Sequence, residues 1–319
     1  MDGSVADSGL QVVRLRPNIG AEIRGADLAA GITAAQAAAV RDALNAHEVV
    51  ILRDQQITAE QQMAFARHFG ELSIHPFSPN LPDKPELIVL DNSADNPPFS
   101  TDVWHTDESF RKAPPMATIL CAKVLPPLGG DTLFASMTSA FEGLSDRMQG
   151  LISGLEAIHD FKPFRALFPD TPEGREALLD LENDWPKIAH PIVRIHPETK
   201  RKVLFVNPQF TIAIKGMKEE ESRTILDFLF RQARVPEYQF RLEWALGTVA
   251  FWDNRSVQHY ATHDYLPHRR TMERVTLKGD PVFGPVFGPV DEAVRTAERS
   301  ADPARDDGGV VRQFARRKS

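Results

Sequence analysis

The chain has 319 residues, a single cysteine, ten histidines and a formal net charge of −7. One cysteine, Cys121, excludes an internal disulfide and a thiolate metal cluster, so any metal site must be built from histidine and carboxylate. The acidic balance gives no electrostatic reason to expect nucleic acid or anionic membrane as partner, no stretch reaches the ~18 apolar residues of a membrane span, and residues 1–10 (MDGSVADSGL) lack a secretory pattern, so a cytoplasmic protein is expected.

Residues 11–16 and 21–25 read as short strands separated by the turn formers Pro17, Asn18 and Gly20. Thr33 with Gln36, and Thr58 with Gln61, have capping-box spacing, and each opens a helix. Behind the first box Ala37, Val40 and Leu44 form an apolar stripe; behind the second, Phe65 and Phe69 lie one turn apart. HEVVIL at 47–52 reads as a buried strand between them. From residue 87 short β-like runs recur: LIVL at 87–90, ATILCAKV at 117–124, DTLFAS at 131–136, IAHPIVRI at 188–195, KVLFV at 202–206, GTVAFW at 247–252 and RRTMERVTL at 269–277. One helix is expected over residues 218–233. Many short strands without βαβ alternation predict a mainly β fold with flanking helices, a sandwich or jelly roll. A single domain is expected over residues 11–284. Past the local repeat of VFGP at 282–285 and 286–289, residues 285–319 read as a flexible tail or an arm packed on a neighbouring subunit.

The chemistry concentrates in VWHTDESF at 103–110. On a strand, residues two apart project from one face, so His105 and Asp107 can converge on one metal ion. Alone the spacing is weak, because this composition yields on the order of one such pair by chance, and His196-Pro197-Glu198 has the same shape. A second β-rich segment places His259 after a strand and Arg270 eleven residues later. Two histidines and one carboxylate leave open coordination positions, as in non-haem Fe(II) oxygenases, and a guanidinium grips a dicarboxylate co-substrate in fixed geometry. His47, His68, His190 and His196 carry no motif, and the sequon at Asn254 has no meaning in a cytoplasmic chain.

Together, VWHTDESF, PPLGGDTLFASM, FGELSIHP, HPIVRIHPETKRKVLFVNPQF and FWDNRSVQHYATHDYLPHRRTMERVTLKGD resemble the Fe(II)/2-oxoglutarate-dependent dioxygenases of the taurine dioxygenase family, over about residues 11–284. The resemblance implies a cupin-like double-stranded β-helix that uses Fe(II), 2-oxoglutarate and O2. By it, His105, Asp107 and His259 match the iron triad, and Thr132 and Arg270 match the groups that hold the distal carboxylate of 2-oxoglutarate. Arg274 shares a strand face with Arg270. With iron, Asp107, 2-oxoglutarate and Arg270 summing to zero charge, Arg274 calls for one further anion, and in the family the matching arginine holds the substrate.

The implied reaction hydroxylates a small organic anion, a sulfonate or alkyl sulfate ester, with release of succinate and CO2; an aryloxyalkanoate or other carboxylate is the alternative. His75 and Phe210 align with substrate contacts. Ser78 and Thr101 stand where taurine dioxygenase has a tyrosine and an asparagine, and Phe164 and Arg165 fall near a small polar position, so a larger or more apolar tail than taurine's is expected. A cupin-like binding protein without turnover and a metallohydrolase are the rival classes. A homo-oligomer, dimer or tetramer, is expected.

Overall fold

The computed structural model describes residues 8–77, 83–99 and 101–285. Both capping boxes form. Thr33 and Thr58 hydroxyls accept from the Gln36 and Gln61 backbone N–H groups, and each glutamine side chain accepts from its threonine N–H, which satisfies donors that a helix start leaves open. They begin α1 (Ala34–His47) and α2 (Ala59–Arg67).

The strands in chain order are β1 (Gln11–Arg14), β2 (Ala21–Arg24), β3 (Val49–Leu52), β4 (Leu72–Ser73), β5 (Leu87–Asn92), β6 (Ala117–Val124), β7 (Thr132–Ser136) and β8 (Glu156–His159). Then come β9 (Ile188–Pro191), β10 (Val193–Ile195), β11 (Lys202–Leu204), β12 (Thr211–Ile214), β13 (Gln239–Leu242), β14 (Val249–Asp253), β15 (Val257–Ala261) and β16 (Arg270–Leu277). An eight-stranded sheet runs β1-β2-β3-β14-β6-β16-β4, with β5 also paired to β16. Facing pieces are formed by β13-β7-β15, β12-β8-β9 and β10-β11. This is the expected jelly roll with helices outside.

Period-two alternation decides which side chains meet the site. On the large sheet, Val50, Leu52, Ile119, Cys121, Val249, Phe251, Val275 and Leu277 pack under α1 and α2. Their neighbours Val49, Ile51, Leu120, Ala122, Ala250, Trp252 and Met272 turn inward against Phe134, Phe240 and Val257 of the second layer. Thr118, Arg274 and Thr276 fall on that inward side, since Arg274 is in register with Leu120 and Thr276 with Thr118. The long apolar strand runs of the sequence are therefore strands buried on both faces.

The expected helix over 218–233 is α-helical only to Phe230, after which residues Arg231–Arg234 tighten into a 3-10 turn. Strands β8, β12 and β13, and helices at Met137–Glu142, Asp146–Ile152 and Pro172–Asp184, are additions to the sequence reading. Ser78 and, apart from Pro285, the tail lie outside the described residues. Among the described residues, no helix is long and apolar enough to cross a membrane.

Candidate metal and anion site

His105, Asp107 and His259 come together with their ligand atoms within 4.8 Å of one another, all three buried. The means differs from the strand expected at 105–107. His105 forms a lone antiparallel bridge to His259, with N–H to carbonyl distances of 3.1 and 2.7 Å, and Asp107 lies in the turn that follows. Glu108 completes that turn at φ 46°, a left-handed conformation that a non-glycine residue keeps only where its surroundings hold it. His259 follows β14 as expected and sits inside a further strand, β15, opposite Phe134 of β7.

Two of the three side chains, His105 and Asp107, are oriented by a neighbour. His105 Nδ1 lies 2.7 Å from the Val103 carbonyl, an acceptor, so Nδ1 carries the proton and Nε2 is the lone-pair nitrogen. Thr118 Oγ1 donates to Asp107 Oδ2 at 2.5 Å, Asn254 Nδ2 donates to Thr118 Oγ1 at 2.9 Å, and Trp252 Nε1 donates to Asn254 Oδ1 at 2.9 Å. Thr118, Asn254 and Trp252 escaped the sequence reading because each is ordinary in composition. Only the strand register brings them beneath the carboxylate.

Protonation states suit a cation. Burial lowers the pKa of both His105 and His259, leaving neutral imidazoles. Burial alone would raise Asp107, but Arg274, the two histidines and Thr118 outweigh it and hold the carboxyl below its usual range. His259 Nδ1 is buried with no hydrogen-bond partner among the described residues. Two neutral imidazoles and one carboxylate, with His259 Nε2 4.0 Å from Asp107 Oδ1, fit a divalent iron with open positions.

Two guanidiniums flank this centre. Arg270 is buried, its Nε donating to the Gly130 carbonyl at 3.1 Å, and its Cζ lies 5.8 Å from each of the Trp244 and Tyr265 rings. Its Nη2 has no hydrogen-bond partner, and no carboxylate among the described residues pairs with it. Thr132 accepts from Trp244 Nε1 at 3.0 Å, which leaves its hydroxyl proton to be donated elsewhere. A buried guanidinium with an idle N–H beside a hydroxyl donor fits the carboxylate of 2-oxoglutarate.

Arg274 Nη2 lies 3.3 Å from Asp107 Oδ1 and 3.6 Å from Glu108 Oε1, without a hydrogen bond to either. Glu108, which sequence reading passed over, is buried and paired to Arg111 Nη2 at 2.5 Å. Burial pushes its pKa up to about 7 against the pull of Arg111 and Arg274. His75 Nε2 is 4.0 Å from Glu108 Oε1, and its Nδ1 accepts from the Phe77 N–H at 3.1 Å. Burial, with Arg274 and Arg111, pushes His75 down to about 3, which leaves a neutral imidazole with its proton on Nε2.

The remaining expected contacts divide. Phe164 and Phe210 join an aromatic cluster with Phe77, Phe110, Phe161 and Trp185; Phe164 lies 5.7 Å from the His75 ring and Phe210 6.4 Å from the His105 ring. Thr101 Oγ1 is bonded to His263 Nε2 at 2.8 Å. Arg165 is engaged elsewhere: it pairs with Asp160 at 3.0 Å and Glu182 at 2.9 Å and covers the Phe161 ring, which braces the aromatic cluster from behind.

Residues 11–276 match the family described as "Taurine catabolism dioxygenase TauD, TfdA family". An alkylsulfatase from Acinetobacter baylyi is 32% identical over 86% of this chain and 87% of its own length. An alpha-ketoglutarate-dependent sulfate ester dioxygenase from Pseudomonas putida is 33% identical over 86% and 91%. The crystal structure of a taurine dioxygenase from Burkholderia xenovorans superimposes with a TM-score of 0.74 at 34% identity, covering 88% of this chain and 97% of that one.

Proposed function

Because the chain belongs to the TauD, TfdA family of 2-oxoglutarate-dependent non-haem iron dioxygenases, we propose that it hydroxylates a small organic anion carrying a sulfate ester or sulfonate group. The observation that carries this reading is the pair of guanidiniums on one face of β16, each with an Nη2 that makes no hydrogen bond, beside the His105, Asp107 and His259 cluster. When bound, iron and 2-oxoglutarate supply the oxidising chemistry, which turns 2-oxoglutarate and O2 into succinate and CO2 and places one oxygen atom in a substrate C–H bond.

The protein's part is placement. His105, Asp107 and His259 hold the metal, with Thr118 and Val103 fixing two of those ligands in their rotamers. Arg270 and the Thr132 hydroxyl take the distal carboxylate of 2-oxoglutarate. Arg274 and the Nε2–H of His75 take the substrate's anionic group, while Phe164 and Phe210 pack its apolar part and keep water from the reacting carbon. A hydroxylated carbon that bears the sulfur group expels it, giving an aldehyde and sulfate or sulfite. The aromatic cluster beside His75 supports a second reading, an aryloxyalkanoate whose ring stacks there.

The test has two stages. Anaerobic addition of Fe(II) and 2-oxoglutarate should produce the weak visible band of the iron chelate, and its absence from folded protein would remove the reaction class. A panel of alkyl sulfates, sulfonates and aryloxyalkanoates, read by succinate release and product identity, then chooses the substrate; succinate formed equally with and without every anion would sink the anion assignment.

A further inference from the structure

The two groups assigned to the co-substrate carboxylate stand on different sheets. Thr132 opens β7 in the β13-β7-β15 sheet, and Arg270 opens β16 in the large one. No backbone ladder joins β7 to β16; core packing of Phe134 and Met272 sets the spacing of the layers, and loop contacts bear on the two groups at the strand starts.

Those contacts form one latch. The loop before β7 carries Gly129 and Gly130, both at positive φ, and the loop after β15 carries Thr262 and Asp264. Asp264 Oδ1 accepts from the Gly130 N–H at 2.9 Å and from Thr262 Oγ1 at 2.7 Å. The Thr262 N–H donates to the Asp131 carbonyl at 3.0 Å. Gly130 is the residue whose carbonyl holds Arg270 Nε, and a Cβ on it would lie 3.0 Å from Arg270 Cδ. The fit is close on the other side as well, since a Cβ on Gly129 would meet Asp264 Oδ1 at 2.7 Å. Through the backbone of one residue, Gly130, then, Asp264 bears on where Arg270 points. Trp244 acts on the partner group: its indole N–H occupies a lone pair of the Thr132 hydroxyl, and its ring lies beside the Arg270 guanidinium.

We propose that Asp264 and Trp244 are positioning residues for 2-oxoglutarate, Asp264 by holding the Gly130 peptide against Arg270 and Trp244 by orienting the Thr132 hydroxyl. This rests on the assignment of Arg270 and Thr132 to the co-substrate. Neither residue touches the metal ligands in any contact described above. The Asp264 side chain is 52% exposed, so its replacement leaves the core intact.

The experiment measures 2-oxoglutarate affinity of the Fe(II)-loaded protein anaerobically by the chelate band, together with KM for 2-oxoglutarate and for substrate. Asp264→Ala should weaken 2-oxoglutarate binding about fivefold to tenfold, the scale of one or two lost hydrogen bonds, with substrate KM unchanged. Asp264→Asn, which keeps the accepting oxygen, should restore binding to within about twofold of wild type. Trp244→Phe retains the ring and removes the donor, and should raise 2-oxoglutarate KM by a similar factor. Wild-type affinity in Asp264→Ala and Trp244→Phe, or equal rises in both KM values, would overturn the proposal while leaving the dioxygenase reading in place. Failure of the wild-type protein itself to bind 2-oxoglutarate would overturn that reading, and the inference with it.

Discussion

Two clusters of buried charge stand in this fold, and both begin from a histidine two residues before an acid. At His196 and Glu198 the charges close on one another: Arg255 is held by Asp253 through Nε and Nη2 at 2.6 to 3.1 Å and by Glu198 at 2.7 Å, while His196 bonds Asp253 at 3.0 Å and accepts from the Glu198 and Thr199 N–H groups. At His105 and Asp107 the pairing is incomplete: Arg270 has no carboxylate partner among the described residues, and the Nη2 groups of Arg270 and Arg274 make no hydrogen bond. Buried charge that is fully paired holds a structure together, whereas buried charge left unpaired is costly and persists where a ligand completes it. The same local motif thus gives a strut in one place and a site in the other, and the difference lies in what the tertiary structure delivers to it.

The largest expected effects break the contrast directly. His105→Ala or Asp107→Ala should abolish succinate formation, with a loss beyond about a thousandfold, yet leave the fold intact by circular dichroism; retained turnover would show that the cluster is not the metal centre. Arg255→Ala should do the reverse, costing about 3–5 kcal/mol of stability by stranding Asp253, read as a lowered Tm. The corresponding change at the open site, Arg274→Ala, should raise substrate KM about 30-fold or more while 2-oxoglutarate KM moves little. Equal shifts in the two would remove Arg274 as the substrate clamp.

The smallest effect is a pH dependence on the structural side. Burial raises Glu48 to about 7 from 4.5, opposed by Thr138, Ser136 and Arg201 and assisted by Asp253. With the folded pKa above the unfolded one, the folded state holds the extra proton between those values, so stability falls as pH rises through that window and then levels. Tm should decline from about pH 5 to about pH 8, and Glu48→Gln should flatten part of that slope by a few degrees. An unchanged slope would show that Glu48 is ionised throughout.

The capping boxes, the helices behind them and the long inner strands were legible because each depends on residues within one turn or on strict alternation. The triad was legible only through the family resemblance, because the spacing of His105 and Asp107 is weak by itself and His259 is distant in the chain; the three do converge in the fold. What escaped was set by register across distant segments. Thr118 lies under Asp107 only because β6 runs beside β14 and β16, and Glu108 counts only because the turn at 107–110 swings it toward Arg274 and Arg111. Likewise, the Arg165 expected in the pocket is drawn away by Asp160 and Glu182, carboxylates that nothing local in the sequence couples to it.

The sequence by itself determined the fold class, the metal-ligand types and the presence of two arginines on one strand face, because side-chain chemistry and period two are local properties. Only the tertiary structure decided which buried charges are closed and which stay open, since a hydrogen-bond partner is a matter of distance in space. The family to which the chain belongs names the chemistry, and the unsatisfied atoms mark where we propose that this molecule carries it out.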